Sequence, residues 1–139
     1  MKIKKRSSYE GLQEQIREFK TPAIEVWENK YPDKDYTVSL ETGEFTCICP
    51  KTGLLDFATI RIRYIPDKWC VELKSLKMYL ISYRHAGVFH EHVVNKILED
   101  FVKSAKPRSC YIEGEFCIRG GIKTTVMAEY RKKGYRAGK

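Results

Sequence analysis

Three groups of side chains could do chemistry, and the first is a thiol set close to a carboxylate. In Cys49-Pro50-Lys51-Thr52-Gly53-Leu54-Leu55-Asp56-Phe57, Cys49 ends one extended run and Asp56 starts the next, across a Pro/Gly turn. Side chains so placed can face one pocket as a nucleophile and a proton donor. Spacing alone leaves a second reading open, in which Cys49 packs as a small hydrophobe and Asp56 caps the turn. The second group is His90-Glu91-His92. A zinc-binding H-E-x-x-H helix would need histidine at position 94, which is Val94, and His92 points to another side of the helix from His90. Cys47-x-Cys49 is not zinc-knuckle spacing and has no partner pair downstream, so no metal site is expected. The third group is Arg61 and Arg63, alternating along a strand beside Tyr64. No helix concentrates Lys and Arg and no aromatic–basic sheet signature is present, so a solvated strand face is expected rather than direct nucleic-acid contact.

These residues need elements to position them. Strands are expected over residues 23–27, 36–40 and 45–49, the last two separated by a break at Glu41-Thr42-Gly43. The clearest strand covers residues 57–65, with Ile60, Ile62 and Tyr64 facing one way and the arginines the other. After Pro66-Asp67-Lys68 the chain is expected to return through residues 69–72 as an antiparallel hairpin partner. A short helix over residues 75–83 precedes a longer one, on which Phe89, Val93, Ile97, Phe101 and Val94, Leu98, Val102 form an apolar stripe. Glu91, Asn95, Lys96 and Glu99 lie off that stripe, and Pro107 ends the region. Strands over residues 110–118 and 122–130 follow, joined by the Arg119-Gly120-Gly121 turn. Strands, helices, then strands argue α+β, with the helices on one face of an antiparallel sheet. Residues 1–21 read as a polar leader with a short helix through Leu12, Ile16 and Phe19, and residues 22–139 as one domain with a frayed basic tail.

The chain has 139 residues, enough for a single core, and its hydrophobic fraction of 42% with 12% aromatics excludes a disordered or collagen-like chain. No apolar run could span a bilayer and no secretory signal is visible, so a cytoplasmic protein is expected. An odd five cysteines fit reduced thiols better than a disulfide framework, and Cys70, Cys110 and Cys117 are expected in the core. A net charge of +8 favours anionic partners. The Gly120-Gly121 pair lies between strands instead of opening a helix, so a dinucleotide fingerprint is absent, and there is no P-loop.

Cys49-Pro50-x-Thr52-Gly53-x-x-Asp56-Phe57-Ala58, followed by Glu72-Leu73-Lys74-Ser75-Leu76-Lys77, resembles the QueF family of NADPH-dependent 7-cyano-7-deazaguanine reductases in its short, single-module form. Phe89-His90-Glu91 and Arg119-Gly120-Gly121-Ile122 fit the same family in the same order, and the likeness covers roughly residues 22–130. The resemblance implies a tunnelling fold closed into barrels by several copies, in these members a decamer of two pentamers with sites at subunit interfaces. It implies the four-electron reduction of a nitrile to an amine by two NADPH, in queuosine biosynthesis for transfer RNA. Cys49 would form a covalent thioimide with the nitrile carbon, and Asp56 would protonate its nitrogen. Glu91, with His90 beside it, would recognise the deazaguanine, and Val71, Glu72 and Leu73 would line its site. A carboxylate suits that base because it can accept from the ring N–H and the exocyclic amine at once. Lys74, Lys77 and Arg119 would hold NADPH phosphates. The alternative is a related pterin- or purine-processing enzyme of the GTP cyclohydrolase type, some of which use zinc.

Overall fold

The protein is described from a computed structural model, over residues 19–137. The helix expected through Leu12 and Ile16 falls outside them. Phe19 is irregular, and its ring rests 5.5 Å from that of Tyr83.

In chain order the elements are β1 (Val26–Glu28), β2 (Val38–Ile48), β3 (Leu55–Ile65), β4 (Trp69–Val71), α1 (Leu73–Ile81) with a 3-10 turn Ser82–His85, α2 (His90–Ala105), β5 (Ser109–Phe116) and β6 (Thr125–Arg131). Four of them form an antiparallel sheet in the order β2-β3-β5-β6. Along β3 the residues Asp56, Ala58, Ile60, Ile62 and Tyr64 are buried, on a strict period of two. Both helices cover that face: Leu76 and Tyr79 of α1 and Val93, Val94, Ile97 and Phe101 of α2 share one core with it. Gly114 of β5 lets α2 come this close, since a Cβ there would stand 2.6 Å from Val94 Cγ2. The opposite face carries Arg61, bonded to Glu41, Glu113 and Glu115, while Arg63 lies over the Tyr111 ring. The architecture is therefore α+β, as expected.

Several expectations need correction. Residues 69–72 do not pair with β3. Both edges of β3 are taken by β2 and β5, so the chain leaves the sheet and β4 pairs with β1, Val71 opposite Val26. Tyr64 holds the departing strand, its hydroxyl oxygen accepting from the Val71 amide at 2.9 Å. The break at Glu41-Thr42-Gly43 is instead a β-bulge inside one continuous strand, with the register shifting between Thr42 and Phe45. Lys96 lies within the buried side of α2, where its ammonium meets Asp100 at 2.8 Å. Cys117 is exposed beyond the end of β5, whereas Cys70 and Cys110 are buried. The tail is pinned through Tyr135: Lys132 reaches Asp67 at 2.7 Å and the Tyr135 hydroxyl donates to Asp35 at 2.8 Å. None of the described helices is long and apolar enough to cross a membrane.

Candidate active site

The bulge in β2 decides where Cys49 points. Ahead of it Val38, Leu40 and Thr42 are the partly buried positions, whereas beyond it Phe45 and Cys47 are buried. One extra residue switches the inward parity from even to odd. Cys49, two residues past Cys47 and just after the strand, continues that inward series. Cys47 pairs with Asp56 across the ladder, so that cysteine and the carboxylate lie together on the helix-covered side. The turn between them is closed by the Cys49 amide donating to Leu54 O at 2.8 Å and the Gly53 amide donating to Cys49 O at 2.9 Å. Gly53 sits at φ 72°, the left-handed conformation that favours glycine.

The second half of the site arrives from α2. Ile48 and residues 86–88 exchange backbone bonds, Ile48 N to Ala86 O and Val88 N to Ile48 O, each 2.9 Å. This short parallel bridge brings the start of α2 beside the end of β2. His90, in the first turn, stacks on Phe116 with ring centroids 3.7 Å apart and a 10° interplanar angle. The stacking fixes the imidazole so that Nε2 meets Asp56 Oδ2 at 3.1 Å. Asp56, only 6% exposed, receives Arg119 Nη1 on its other oxygen at 2.9 Å, while Arg119 Nη2 donates to Leu55 O at 2.8 Å. Glu91 is exposed on the same first turn.

The two cysteines differ in acidity for physical reasons. Cys47 is fully buried, and burial, helped by the negative charges of Asp56 and Cys49, pushes its thiol up to about 12. Cys49 is half-buried, and a hydrogen bond from the Thr52 hydroxyl holds its thiol below the ordinary value; the Thr52 and Lys51 amides act the same way, against burial and the Asp56 charge. Cys49 is thus the member of the pair able to be a thiolate, the nucleophilic form. A thiolate, a carboxylate and an imidazole in contact with it can add sulfur to an electrophilic carbon and supply a proton to the atom that gains charge.

Cys49, Asp56, His90, Glu91 and Arg119 are thus brought to one end of the sheet, with Arg119 on the carboxylate and apart from the lysines it was expected to join. The remaining expected residues are elsewhere. Val71 is buried, and its amide is taken by Tyr64. Glu72 caps α1, its carboxylate accepting from the Lys74 amide at 2.8 Å and the Ser75 amide at 2.7 Å, which holds it below its usual carboxylate range. Leu73 and Lys77 line an apolar groove of about 300 Å³ between α1 and β2, which also holds Leu40, Leu80 and Arg84. Lys74 is exposed at the head of the same helix. Thr52 and Phe116 were not expected as site residues. The signal for Thr52 was present, a hydroxyl in the turn that follows the cysteine; for Phe116 the contact depends on strand order, which spacing does not carry. Among the described residues no three His, Cys, Asp or Glu side chains gather as a metal cluster.

Known proteins resemble this chain in family and in fold. The model of the family described as QueF-like protein matches residues 55–135. A protein of Syntrophus aciditrophicus (strain SB) is 55% identical over 112 residues, covering 81% of this chain and 80% of its own. One from Nitrosococcus oceani is 53% identical over 116 residues, 84% of this chain and 90% of its own, and one from Chloroherpeton thalassium is 55% identical over 111 residues, 80% and 96%. Each of the three is named NADPH-dependent 7-cyano-7-deazaguanine reductase. A solved structure of the archaeosine synthase QueF-Like in the apo form superposes with a TM-score of 0.65 at 23% identity, over 69% of this chain and 94% of that one, and shares its fold. The residues matched include Asp56, His90 and Arg119, and the chain belongs to the QueF-like family.

Proposed function

We propose that this protein is an NADPH-dependent 7-cyano-7-deazaguanine reductase, acting in queuosine biosynthesis through a covalent adduct on Cys49. The observation that carries the mechanism is the pairing of a thiol held below its ordinary acidity with a buried carboxylate across the β2–β3 turn. Cys49 Sγ adds to the nitrile carbon while the proton the thiol gives up passes through the Asp56 carboxylate, as general acid, to the nitrile nitrogen, leaving a thioimide. NADPH is the hydride donor, one equivalent for each two-electron step. After the first reduction the carbon–sulfur bond breaks and returns the Cys49 thiolate, leaving an imine; the second reduction gives the aminomethyl product. His90 Nε2, 3.1 Å from the carboxylate, is the route by which Asp56 regains a proton. Glu91 accepts bonds from the base.

Lys74 and Lys77 stand three residues apart on one side of α1, and Lys77 and Arg84 edge an apolar groove. Cations around an apolar floor suit a phosphate-bearing, partly apolar molecule such as NADPH. By family resemblance the sites lie at subunit interfaces, so a neighbouring copy would bring such a group to the reacting carbon. The sheet ends in β2 and β6, whose outer edges are unpaired among the described residues, and edge-to-edge joining would close a barrel and deliver that neighbour. We read the assembly, by family resemblance, as two pentameric rings.

Intact-protein mass spectrometry after mixing with 7-cyano-7-deazaguanine, without NADPH, tests the reading. One substrate mass per chain, mapped to Cys49, discharged by NADPH and absent in Cys49→Ala, is expected. No adduct on folded, reduced protein would remove the covalent mechanism.

A further inference from the structure

The Arg119-Gly120-Gly121-Ile122 segment fixes the origin of one long side chain. Gly120 and Gly121 stand at φ 55° and 77°, and Arg119 and Ile122 exchange both backbone bonds across them, at 3.0 and 2.9 Å. Two central residues at positive φ make the tight hairpin turn that suits twisted strands. The chain entering the turn is tied on both sides, the Cys117 amide donating to Phe57 O and the Phe116 amide to Thr124 O, each at 2.9 Å. From this frame the Arg119 side chain returns to the start of β3, where Nη2 donates to Leu55 O at 2.8 Å and Nη1 meets Asp56 Oδ1 at 2.9 Å. We infer that Arg119 is a positioning residue for the proton transfer: its guanidinium, anchored on Leu55 O, holds the Asp56 carboxylate in the orientation in which Oδ2 meets His90.

This inference rests on Asp56 being the proton carrier between Cys49 and the nitrile. A guanidinium is a planar fork, and two acceptors fix its plane where one would leave it free to swing. Leu55 O belongs to the backbone beside Asp56, so the carboxylate is held relative to its own strand. Its other oxygen, Oδ2, meets His90 Nε2 at 3.1 Å, and that imidazole is itself fixed by stacking on Phe116. Both carboxylate oxygens are thus engaged, and rotation of the carboxylate would break two contacts at once. The Asp56 side chain is 7% exposed and that of Arg119 is 42% exposed, so shortening Arg119 releases the acid without opening the core. The apolar groove edged by Lys77 includes no residue of the β5–β6 turn, and the guanidinium is committed to the acid.

The test is the rate of addition of 7-cyano-7-deazaguanine without NADPH, followed by intact mass, in wild type, Arg119→Met and Arg119→Lys. A misplacement of about 1 Å can cost about 10²-fold, so Arg119→Met should slow addition at saturating nitrile by about 10- to 100-fold. The half-saturating nitrile concentration and the alkylation of Cys49 by iodoacetamide should stay within about twofold of wild type, since neither needs the proton carrier. Arg119→Lys keeps the charge but cannot hold both acceptors, and should remain slower than wild type by about fivefold or more. Because Arg119 acts through Asp56, adding Arg119→Met to Asp56→Asn should slow addition no further. Wild-type addition in Arg119→Met, with a defect seen only once NADPH is present, would overturn the inference and put the guanidinium on the cofactor. Equal slowing of alkylation, full recovery in Arg119→Lys, or further slowing on top of Asp56→Asn would overturn it as well. Absence of a Cys49 adduct in wild type would instead bring down the mechanism beneath the inference.

Discussion

Asp56→Asn separates the two halves of the proposed addition, because the thiolate and the proton donor respond to it in opposite directions. The exchange is isosteric and the site is 6% exposed, so the local fold has little room to rearrange. The asparagine carbonyl can still accept from Arg119 Nη1, now 2.9 Å from Oδ1, and the guanidinium remains tied to Leu55 O. What is lost is the charge in two hydrogen bonds, one of them to an arginine that is 42% exposed, so the stability cost is about 1 kcal/mol after allowing for solvent screening. The catalytic cost is larger. An amide has no proton to give the nitrile nitrogen, and removal of a general acid lowers the rate by about 10²- to 10⁴-fold, or roughly 2.7 to 5.4 kcal/mol of barrier. The negative charge of Asp56 also disfavours ionisation of Cys49, so its removal should leave more thiolate at a given pH. Alkylation by iodoacetamide, which needs only the thiolate, should then hold steady or quicken while nitrile addition collapses. Both are read by timed intact mass on the same preparation, with thermal unfolding to show that the fold persists. Nitrile addition within about threefold of wild type would refute the proton-donor role, and equal slowing of both reactions would mean that the substitution had damaged the thiol itself.

If Cys49 of one copy works with Lys74 and Lys77 of its neighbour, mixing inactive Cys49→Ala protein with an inactive Lys74→Ala/Lys77→Ala variant, dissociated and reassembled together, should restore about a quarter of wild-type turnover at equal ratio; no recovery from mixed assemblies would place both groups in one chain. Asp67 is held below its usual range first by Lys132 and then by Arg108, so its folded-state pKa lies below the unfolded value. Its contribution to stability is full above about pH 4 and lost as pH falls through the folded-state value. Asp67→Asn should therefore unfold more easily than wild type at pH 7, by under about 1 kcal/mol because Lys132 is half exposed, and the gap should close in acid; a gap independent of pH would refute the pairing.

Periodicity carried the helices and the core face of β3 because both are local. The stripe Val93, Val94, Ile97, Phe101 needs only 3.6 residues per turn, and it is buried as expected. Lys96 departs from it because an ammonium can follow its own methylenes into the core when Asp100, one turn on, and Tyr79 of α1, bonded to the same carboxylate at 2.5 Å, form a buried polar cluster. The partner of β4 was not legible, because it depends on which strands flank β3, a non-local fact. The candidate site divides the same way. Cys49 and Asp56 were legible through a turn of few residues, whereas Glu72 as a helix cap, Arg119 on Asp56 and Phe116 under His90 follow from where loops and strands meet in space. The parity change from Val38 and Leu40 to Phe45, Cys47 and Cys49 is written in the sequence, and the bulge at Thr42 to Phe45 is its structural form.

The contrast between Cys47 and Cys49 shows why a nucleophile belongs at a strand's end and not inside it. Within β2 the Ile48 amide next to Cys47 is committed to Ala86 O, and the side chain is sealed beneath the helices, so an anion there would face burial. Two residues later the ladder gives way to the turn. There the Thr52 hydroxyl and the Thr52 and Lys51 amides hold the thiol down, and the side chain is only partly buried. Both thiols feel the same opposing charge from Asp56, so that carboxylate cannot distinguish them. What distinguishes them is burial, the first cause of the raised Cys47 thiol, together with the donors of the turn at Cys49, and the bulge governs both indirectly. By shifting the inward parity before Phe45 it brings the strand's last inward position to Cys49, where the turn's donors begin and Asp56 lies alongside.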